Sequence, residues 1–461
     1  MSIGHLRLLV LLAAVSYLPT LAFYYVGEEA IFPIVSLEMW HQRDWTQQSL
    51  FGLNPLHNPL FNWLIIPLAA LTGWEYVLPV TRAITVAATL ATAATAGWLA
   101  WRLRREVAFA WFAALVYLTL ADVLLYRGWL AYVDPLFGFF VFAAIATLWV
   151  ACVERRPALI ALAVASLTCA FLSKAFTAYA FYGGAVLVLM VTPQWRRVLL
   201  SAPSLALHAA AALAPASWLA LLPANGGQGS RMFAEILAKL APPGPLEYLQ
   251  QLAGFPAETV LRLSPAILLA AYFAWRGRIE LHSEFKPHFR TAAWIALIGY
   301  LPYWLAPHGA IRYLVPVYPV IALALAMLLW CAGEQAATTT RNWLIGAIAL
   351  KFVAAVFLFP YYQSHYRGEN YALAARDIIA RTSGHQFYTM ADTASGLSVA
   401  GYVDVWRYPA APLRWAPEHW ESGFVLTETV DASTGKIAAR YVLGGDVLYL
   451  LCRGAACRAK P

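Results

Sequence analysis

The chain is short of charge. Of its 461 residues only 12% are Asp, Glu, Lys or Arg, whereas 61% are hydrophobic, and mean hydropathy is +0.61. Soluble globular chains carry about 25% charged residues, so this composition excludes a water-soluble protein and indicates an integral membrane protein. Cysteine is scarce as well. The five Cys form no CxxC pair, and with no His-rich tract nothing signals structural zinc. A single basic domain is also lacking: the net charge of +8 is not gathered in one place with interleaved aromatics, so nucleic acid is not an expected partner.

What the chain has instead is apolar runs. A hydrocarbon core about 30 Å thick needs about 20 apolar residues to cross as a helix. Runs of that kind span 6–25, 77–100, 107–126, 133–152, 157–173, 176–193, 198–221, 259–275, 291–306, 310–330 and 342–360. About eleven transmembrane helices are therefore expected. Arg102, Arg104 and Arg105 follow the second run, Arg155 and Arg156 the fourth, Arg196 and Arg197 the sixth, Arg276, Arg278, Lys286 and Arg290 the eighth, and Arg341 the tenth. Every even-numbered exit is basic, which by the positive-inside rule puts the N-terminus in the cytoplasm and the C-terminal segment outside. Tyr24-Tyr25, Trp101, Trp195 and Tyr361-Tyr362 fall at run ends, as interfacial anchors do. Thr20-Leu21-Ala22 loosely resembles a signal-peptide cleavage site, but the alternation uses this first run as a retained helix.

Three substantial outer pieces result: 26–76, 222–258 and 361–461. The first is semi-apolar ("HNPLFNWLIIPLAALTGWEYVL") and is expected to lie along the interface as short amphipathic helices. The second, with "NGGQGS", "RMFAEILAKL", "PPGP" and "LEYLQQLAGF", reads as a mobile loop with an interfacial helix that covers a lipid-side cleft. Residues 1–360 thus form the membrane module. The last hundred residues form a small extracytoplasmic α/β domain, with "ENYALAARDIIART" as an amphipathic helix and "QFYTM", "GFVLTET" and "DVLYLLC" as strands. Cys452 and Cys457 lie in it, where an oxidising compartment permits a disulfide that spacing alone does not decide. The other three Cys are expected to be packing residues.

Ionisable groups in or beside membrane spans are costly and therefore functional candidates. The outer side collects Glu28, Glu29, His57, Asp122, Arg127, Asp134, Lys174, His308 and Arg312. Asp134, in "YVDPLFGFF", could cap its helix ahead of Pro135. Lys174, in "AFLSKAFTAYAF", could snorkel to headgroups. Arg312, in "APHGAIRYLVPVYP", enters its span from the outside, where topology does not favour positive charge, and this points to an anionic partner. Lys351 lies mid-span and is undecided between the bundle interior and a misplaced boundary. His208 reads as a core histidine. Paired carboxylates, a further carboxylate, cations and imidazoles on one side suit displacement at a sugar carbon with a phosphate leaving group. A carboxylate would take the acceptor hydroxyl's proton and cations would stabilise the departing phosphate. A divalent metal could be bridged by Glu28 with Asp134 or His57, and Arg127 is a further candidate contact for substrate.

The order "GEEA", "NPLFNWL", Arg82, "YVDPLFGFF", "FLSKAF" and "IRYLVPVYP" resembles the GT-C membrane glycosyltransferases over most of residues 1–330. Within them it is similar to the bacterial protein-mannosyltransferase-like branch, which includes the lipid A aminoarabinose transferase and the rhizobial lipopolysaccharide galacturonosyltransferases. The resemblance implies a bacterial inner-membrane enzyme that moves a sugar from a polyprenyl-phosphate carrier to a glycolipid or glycan acceptor on the outer face, usually with inversion. In the family pattern an Asp-Glu pair follows the first helix and its leading acid is the base. Glu28 stands in that place and Glu29 in that of its partner, so the leading carboxylate here is one methylene longer. Lys174 matches the family's Lys between the fifth and sixth spans, and Arg312-Tyr313 the Arg/Lys-Tyr placed toward the donor phosphate. Where many relatives have a Lys in the first loop, this chain has His57 and Asn58 before Pro59.

A transporter or lipid-linked sugar flippase would also place ionisable groups in helices. It would be expected to show internal repeats and charges near the midplane. No convincing repeat is visible, and most candidate charges lie at outer helix ends. A non-catalytic scaffold would leave Glu28, Asp134, Lys174 and Arg312 on one side without a task.

Overall fold

In a computed structural model the described residues are 2–53, 57–222, 244–430 and 435–458, with Ala234, Leu237 and Ala238. Each of the eleven apolar runs is mainly helical. Among the described residues five helical stretches are long and apolar enough to cross a membrane: Ile3–Ala22, Trp74–Arg104, Asp134–Glu154, Ala202–Leu221 and Glu334–His365. Shorter apolar helices include Val107–Leu118, Ala158–Ser173, Thr177–Met190 and Tyr318–Trp330. The run expected at 259–275 is not one straight span. Helices Pro245–Arg262 and Ala266–Trp275 meet at a 100° bend, where Pro265 lacks the N–H that a continuing helix would need. Residues 223–233, 235–236 and 239–243 of the expected covering loop at 222–258 lie outside the described residues, and helix Pro245–Arg262 is its described end.

The chain divides into two compact units. One comprises Met1–Leu18, Thr85–Trp129 and Val133–Phe352; the other comprises Pro19–Ile84, Leu130–Tyr132 and Val353–Pro461. In the first, helix Asp134–Glu154 is apolar all round and 78% buried, so it is central, whereas Ala202–Leu221 is only 17% buried and presents apolar side chains outward. Gly138, one turn into the central helix, allows a close approach: a Cβ there would lie 2.9 Å from Val315 Cγ1. That contact brings the Arg312-Tyr313 segment up to the start of the same helix. Lys351 is buried within this unit, over the rings of Trp129 at 4.9 Å and Tyr17 at 5.4 Å. His208 bonds to Tyr182 Oη and the Ser204 carbonyl, as a core histidine does.

The second unit joins the first outer piece to the C-terminal segment. Helices Ile31–Gln42, Glu369–Thr382 and Ala394–Arg407 share a core with a four-stranded sheet: Ile34, Ala375, Ile378, Val399, Val403, Leu426 and Leu450 are all within it. The strands are β1 (Phe387–Thr389), β2 (Gly423–Thr427), β3 (Lys436–Leu443) and β4 (Asp446–Arg453), in the order β1-β2-β4-β3. β1 pairs with β2 in parallel, and the other two pairings are antiparallel. The three expected strands are β1, β2 and β4, and the expected helix is Glu369–Thr382. Cys452 and Cys457 are bridged.

Glu29, Glu38 and Asp404 are buried in this unit. Glu38 accepts from Ser49 Oγ (2.5 Å) and the Phe51 and Gly52 amides (2.5 and 3.2 Å), which ties residues 49–52 to its helix. Asp404 accepts from the Leu413 amide through Oδ1, while Oδ2 is buried without a hydrogen-bond partner among the described residues. Burial pushes Glu38 up to about 7 and Asp404 up to about 8. Unfolded carboxyls titrate near 4, so the folded unit holds protons that the unfolded chain has released. The stability these groups confer is complete below about pH 4 and is lost as pH rises through 7 to 8. For Glu38 this is on the order of 3 kcal/mol. The thermal midpoint of the full-length protein in detergent is expected to fall from about pH 5 to pH 8.5, and Glu38→Gln to flatten that slope. An unaltered slope in the variant would show that Glu38 is not a source of it.

Candidate functional site

The polar residues fall into two constellations, one in each unit. In the second unit the chain leaves the 3₁₀ turn Leu18–Ala22 and enters helix Ile31–Gln42 through Phe23–Ala30. Arg82, fully buried, holds that passage. Its Nε reaches Glu29 Oε1 at 2.9 Å and one Nη reaches Glu29 Oε2 at 2.5 Å, a bidentate pair in which neither side chain is exposed. The same guanidinium donates to the carbonyls of Thr20 (3.1 Å), Phe23 (2.5 Å) and Tyr24 (2.8 Å). Glu29 also accepts from the amides of Val26 (2.8 Å) and Ala131 (2.6 Å). Both charges are thus compensated, and Glu29 is committed to the protein's own backbone and to Arg82.

Glu28 differs from its neighbour: its side chain is exposed. Its amide donates to Tyr132 Oη at 3.1 Å, and its carbonyl accepts the Ile31 amide at the start of the helix. Gly27 precedes it with φ +60°, and a Cβ there would come within 2.7 Å of the Tyr132 hydroxyl, so no other residue fits without displacement. Gln363 exchanges bonds with both backbone groups of Tyr24, and Tyr402 Oη accepts from the Tyr25 amide. Among the described residues the turn is braced through Glu29 and its backbone, while the Glu28 carboxylate has no hydrogen-bond partner. His57 lies in the same unit, partly buried, with its ring stacked against Phe32 at 6.1 Å.

The first unit holds the other constellation. Asp134 is the first residue of its helix, and that helix has no side-chain cap. The carboxylate is turned to cations: Lys174 Nζ at 2.5 Å and Arg127 Nη at 3.8 Å. Lys174 comes from the short turn between helices Ala158–Ser173 and Thr177–Met190, and its ammonium lies 5.2 Å from the Tyr313 ring and 5.8 Å from Phe137. Arg312 is exposed and lies over the same Tyr313 ring at 5.4 Å. Arg127 closes a π-helical turn that begins at Asp122, and its Nε is 3.3 Å from the Asp122 carboxylate. Asp122 in turn accepts from Arg262 (2.5 Å) and Tyr318 Oη (2.9 Å), and Arg262 also bonds to Glu258.

Lys174, Asp134, Arg127, Arg312 and Tyr313 are therefore brought together as a cationic and aromatic group. Arg262 and Tyr318 belong to the same network and were not singled out from the sequence. Arg262 falls near the start of the 259–275 run, where a basic residue reads as an interfacial one, and Tyr318 reads as an interfacial aromatic, so neither carries a local signal. Among the described residues no group of three or more His, Cys, Asp or Glu side chains is placed to hold a metal ion.

Compared with solved structures, the chain has the fold of ArnT from Cupriavidus metallidurans. Against the crystal structure bound to undecaprenyl phosphate the TM-score is 0.72 at 14% identity, covering 100% of both chains. Against the apo state it is 0.73 at 14% identity, covering 99% of both. The apo oligosaccharyltransferase of Archaeoglobus fulgidus has a TM-score of 0.50 at 12% identity, over 87% of this chain and 63% of that one. No family model matches the sequence, and no curated protein matches it.

Proposed function

We propose that the protein is a polyprenyl-phosphate-sugar-dependent glycosyltransferase of the GT-C type, acting at the outer face of the bacterial inner membrane. The observation that carries this reading is the end-to-end fold likeness to an undecaprenyl-phosphate-bound structure. The motif order and the exposed carboxylate at Glu28 agree with it. The reaction is a single displacement with inversion. Glu28 takes the proton of the acceptor hydroxyl, the acceptor oxygen bonds to the anomeric carbon, and the bond from that carbon to the phosphate oxygen breaks to release polyprenyl phosphate. Glu29 is a positioning residue that, with Arg82, fixes the turn carrying Glu28. The acceptor is lipid A, lipopolysaccharide or another glycan.

Lys174 and Arg312, with Tyr313, serve the carrier phosphate. An ammonium has three donors; Asp134 engages one and thereby aims the others, while Arg127 completes the positive field. Lys174→Ala is expected to weaken binding of polyprenyl phosphate roughly 10- to 100-fold, the worth of a hydrogen bond to a charged group. The measurement is titration of the purified protein with undecaprenyl phosphate, and unchanged affinity would remove Lys174 from this role.

The test of the function itself is mass spectrometry of envelope glycolipids from cells with and without the gene. Loss of one sugar from one acceptor is the expected result. A change in lipid distribution with every glycan intact would overturn the reading in favour of a flippase.

A further inference from the structure

The C-terminal segment has a cavity of about 420 Å³, lined by Met390, Trp415, Ala416, Pro417, Glu418, Trp420 and Arg453. Its wall is held in place from several directions. The Trp415 amide donates to the Phe51 carbonyl (2.8 Å) and the Ala416 amide to Thr389 (3.0 Å), so the stretch "WAPEHW" continues from a bridge with the end of β1. Trp420 packs with Ala416 and Val425 in a small cluster that Tyr388 and Met390 adjoin. Arg453 lies with its guanidinium 4.7 Å from the Trp420 ring and donates to the Trp420 carbonyl at 3.1 Å. It is the last residue of β4, opposite Gly423, and sits between Cys452 and its bridge partner Cys457.

We infer that this cavity binds a pyranose unit of the acceptor glycan. The inference rests on the transferase reading and deepens it. An indole presents a flat apolar face, which suits the C–H face of a pyranose, while the ring's hydroxyls need both a donor and an acceptor. Arg453 supplies donors and Glu418, which is exposed, supplies an acceptor. An acyl chain would meet a carboxylate and a guanidinium in the same small space, at the cost of desolvating both. Trp420 is only 7% exposed, so it is not an anchor dipping into a lipid interface. The volume is near the lower end of small-molecule sites, about 300–1,000 Å³, a size for one or two sugar rings. None of these residues belongs to the two constellations described above.

The test uses the full-length protein in detergent and, as probe, the oligosaccharide released from the host's own lipopolysaccharide by deacylation. Saturation-transfer NMR reads binding, and transfer kinetics read the acceptor KM. Trp415→Ala is expected to weaken probe binding and raise the acceptor KM roughly 10-fold, the cost of one central contact, with the donor KM unmoved. Glu418→Ala, at an exposed position, serves where Trp415→Ala fails to fold, and is expected to move the same quantity in the same direction. If transfer depends on Glu28 but both variants keep wild-type probe binding and acceptor KM, the saccharide site is wrong and the transferase reading stands. If the probe binds, and Trp415→Ala or Glu418→Ala abolishes binding, yet no transfer occurs in wild type, the site stands and the transferase reading fails.

Discussion

Glu28→Gln is expected to lower sugar transfer by about 10²- to 10⁴-fold, the range for removing a general base, with the thermal midpoint unchanged. The two halves of this expectation have separate causes. Gln cannot accept the proton of an acceptor hydroxyl, so the chemical step loses its base. The Glu28 side chain is exposed, and the bonds that place the residue run through its amide and carbonyl, to Tyr132 and Ile31, so the substitution leaves the fold intact. Transfer from a polyprenyl-phosphate sugar in membranes carrying equal amounts of each protein measures the first half, and thermal unfolding in detergent the second. Glu28→Asp is informative beside it. It keeps a carboxylate but retracts it by one methylene, ~1 Å, and misplacements of that size cost up to about 10²-fold in rate. Retention of wild-type transfer by Glu28→Gln would refute the assignment.

Arg82→Ala is expected to have the largest effect on stability, about 3–5 kcal/mol, because breaking a fully buried pair strands the remaining charge. Here the stranded group is Glu29, left among the described residues with the amides of Val26 and Ala131, and the carbonyls of Thr20, Phe23 and Tyr24 would lose the guanidinium, Tyr24 keeping its bond from Gln363. Glu29→Gln strands the guanidinium in the same way. The two substitutions are expected to be strongly non-additive, since each removes the same pair. Chemical or thermal unfolding of the two single variants and the double variant provides the cycle. Additive losses would mean that the pair is not what holds the turn. Activity is expected to fall with Arg82→Ala as well, through the displacement of Glu28 rather than through any contact with substrate.

The membrane class and the helical runs were legible because they depend on local composition, and a run of apolar residues says the same thing wherever it sits. The helix Glu369–Thr382 and strands β1, β2 and β4 were legible through periodicity. β3 (Lys436–Leu443) was not, because it is an edge strand of the sheet with mostly exposed side chains, and its charged Lys436 and Arg440 break the apolar alternation. Helix Ala394–Arg407 was missed for the opposite reason. "ASGLSVAGYVDVWR" is rich in Gly, Ser and Val, which are weak helix formers, and burial of nearly all its middle residues overrides that preference. The bend at Pro265 carried a local signal, a proline inside an apolar run, that the hydropathy pattern obscured.

By itself, then, the sequence determined that the protein belongs in a membrane, where its helices run, and in what order its uncommon acids and bases occur along the chain. Only the tertiary structure decided which of those groups are buried and which partner each one has. Glu28 and Glu29 are adjacent and chemically alike. What separates them is an arginine 53 residues from Glu29 that is buried with it and leaves Glu28 in solvent. Asp122 is likewise defined by Arg262, 140 residues away, and by Tyr318, 196 residues away. Burial and pairing arise from contacts between distant segments, and a pattern read along the chain registers a charge but not its partner.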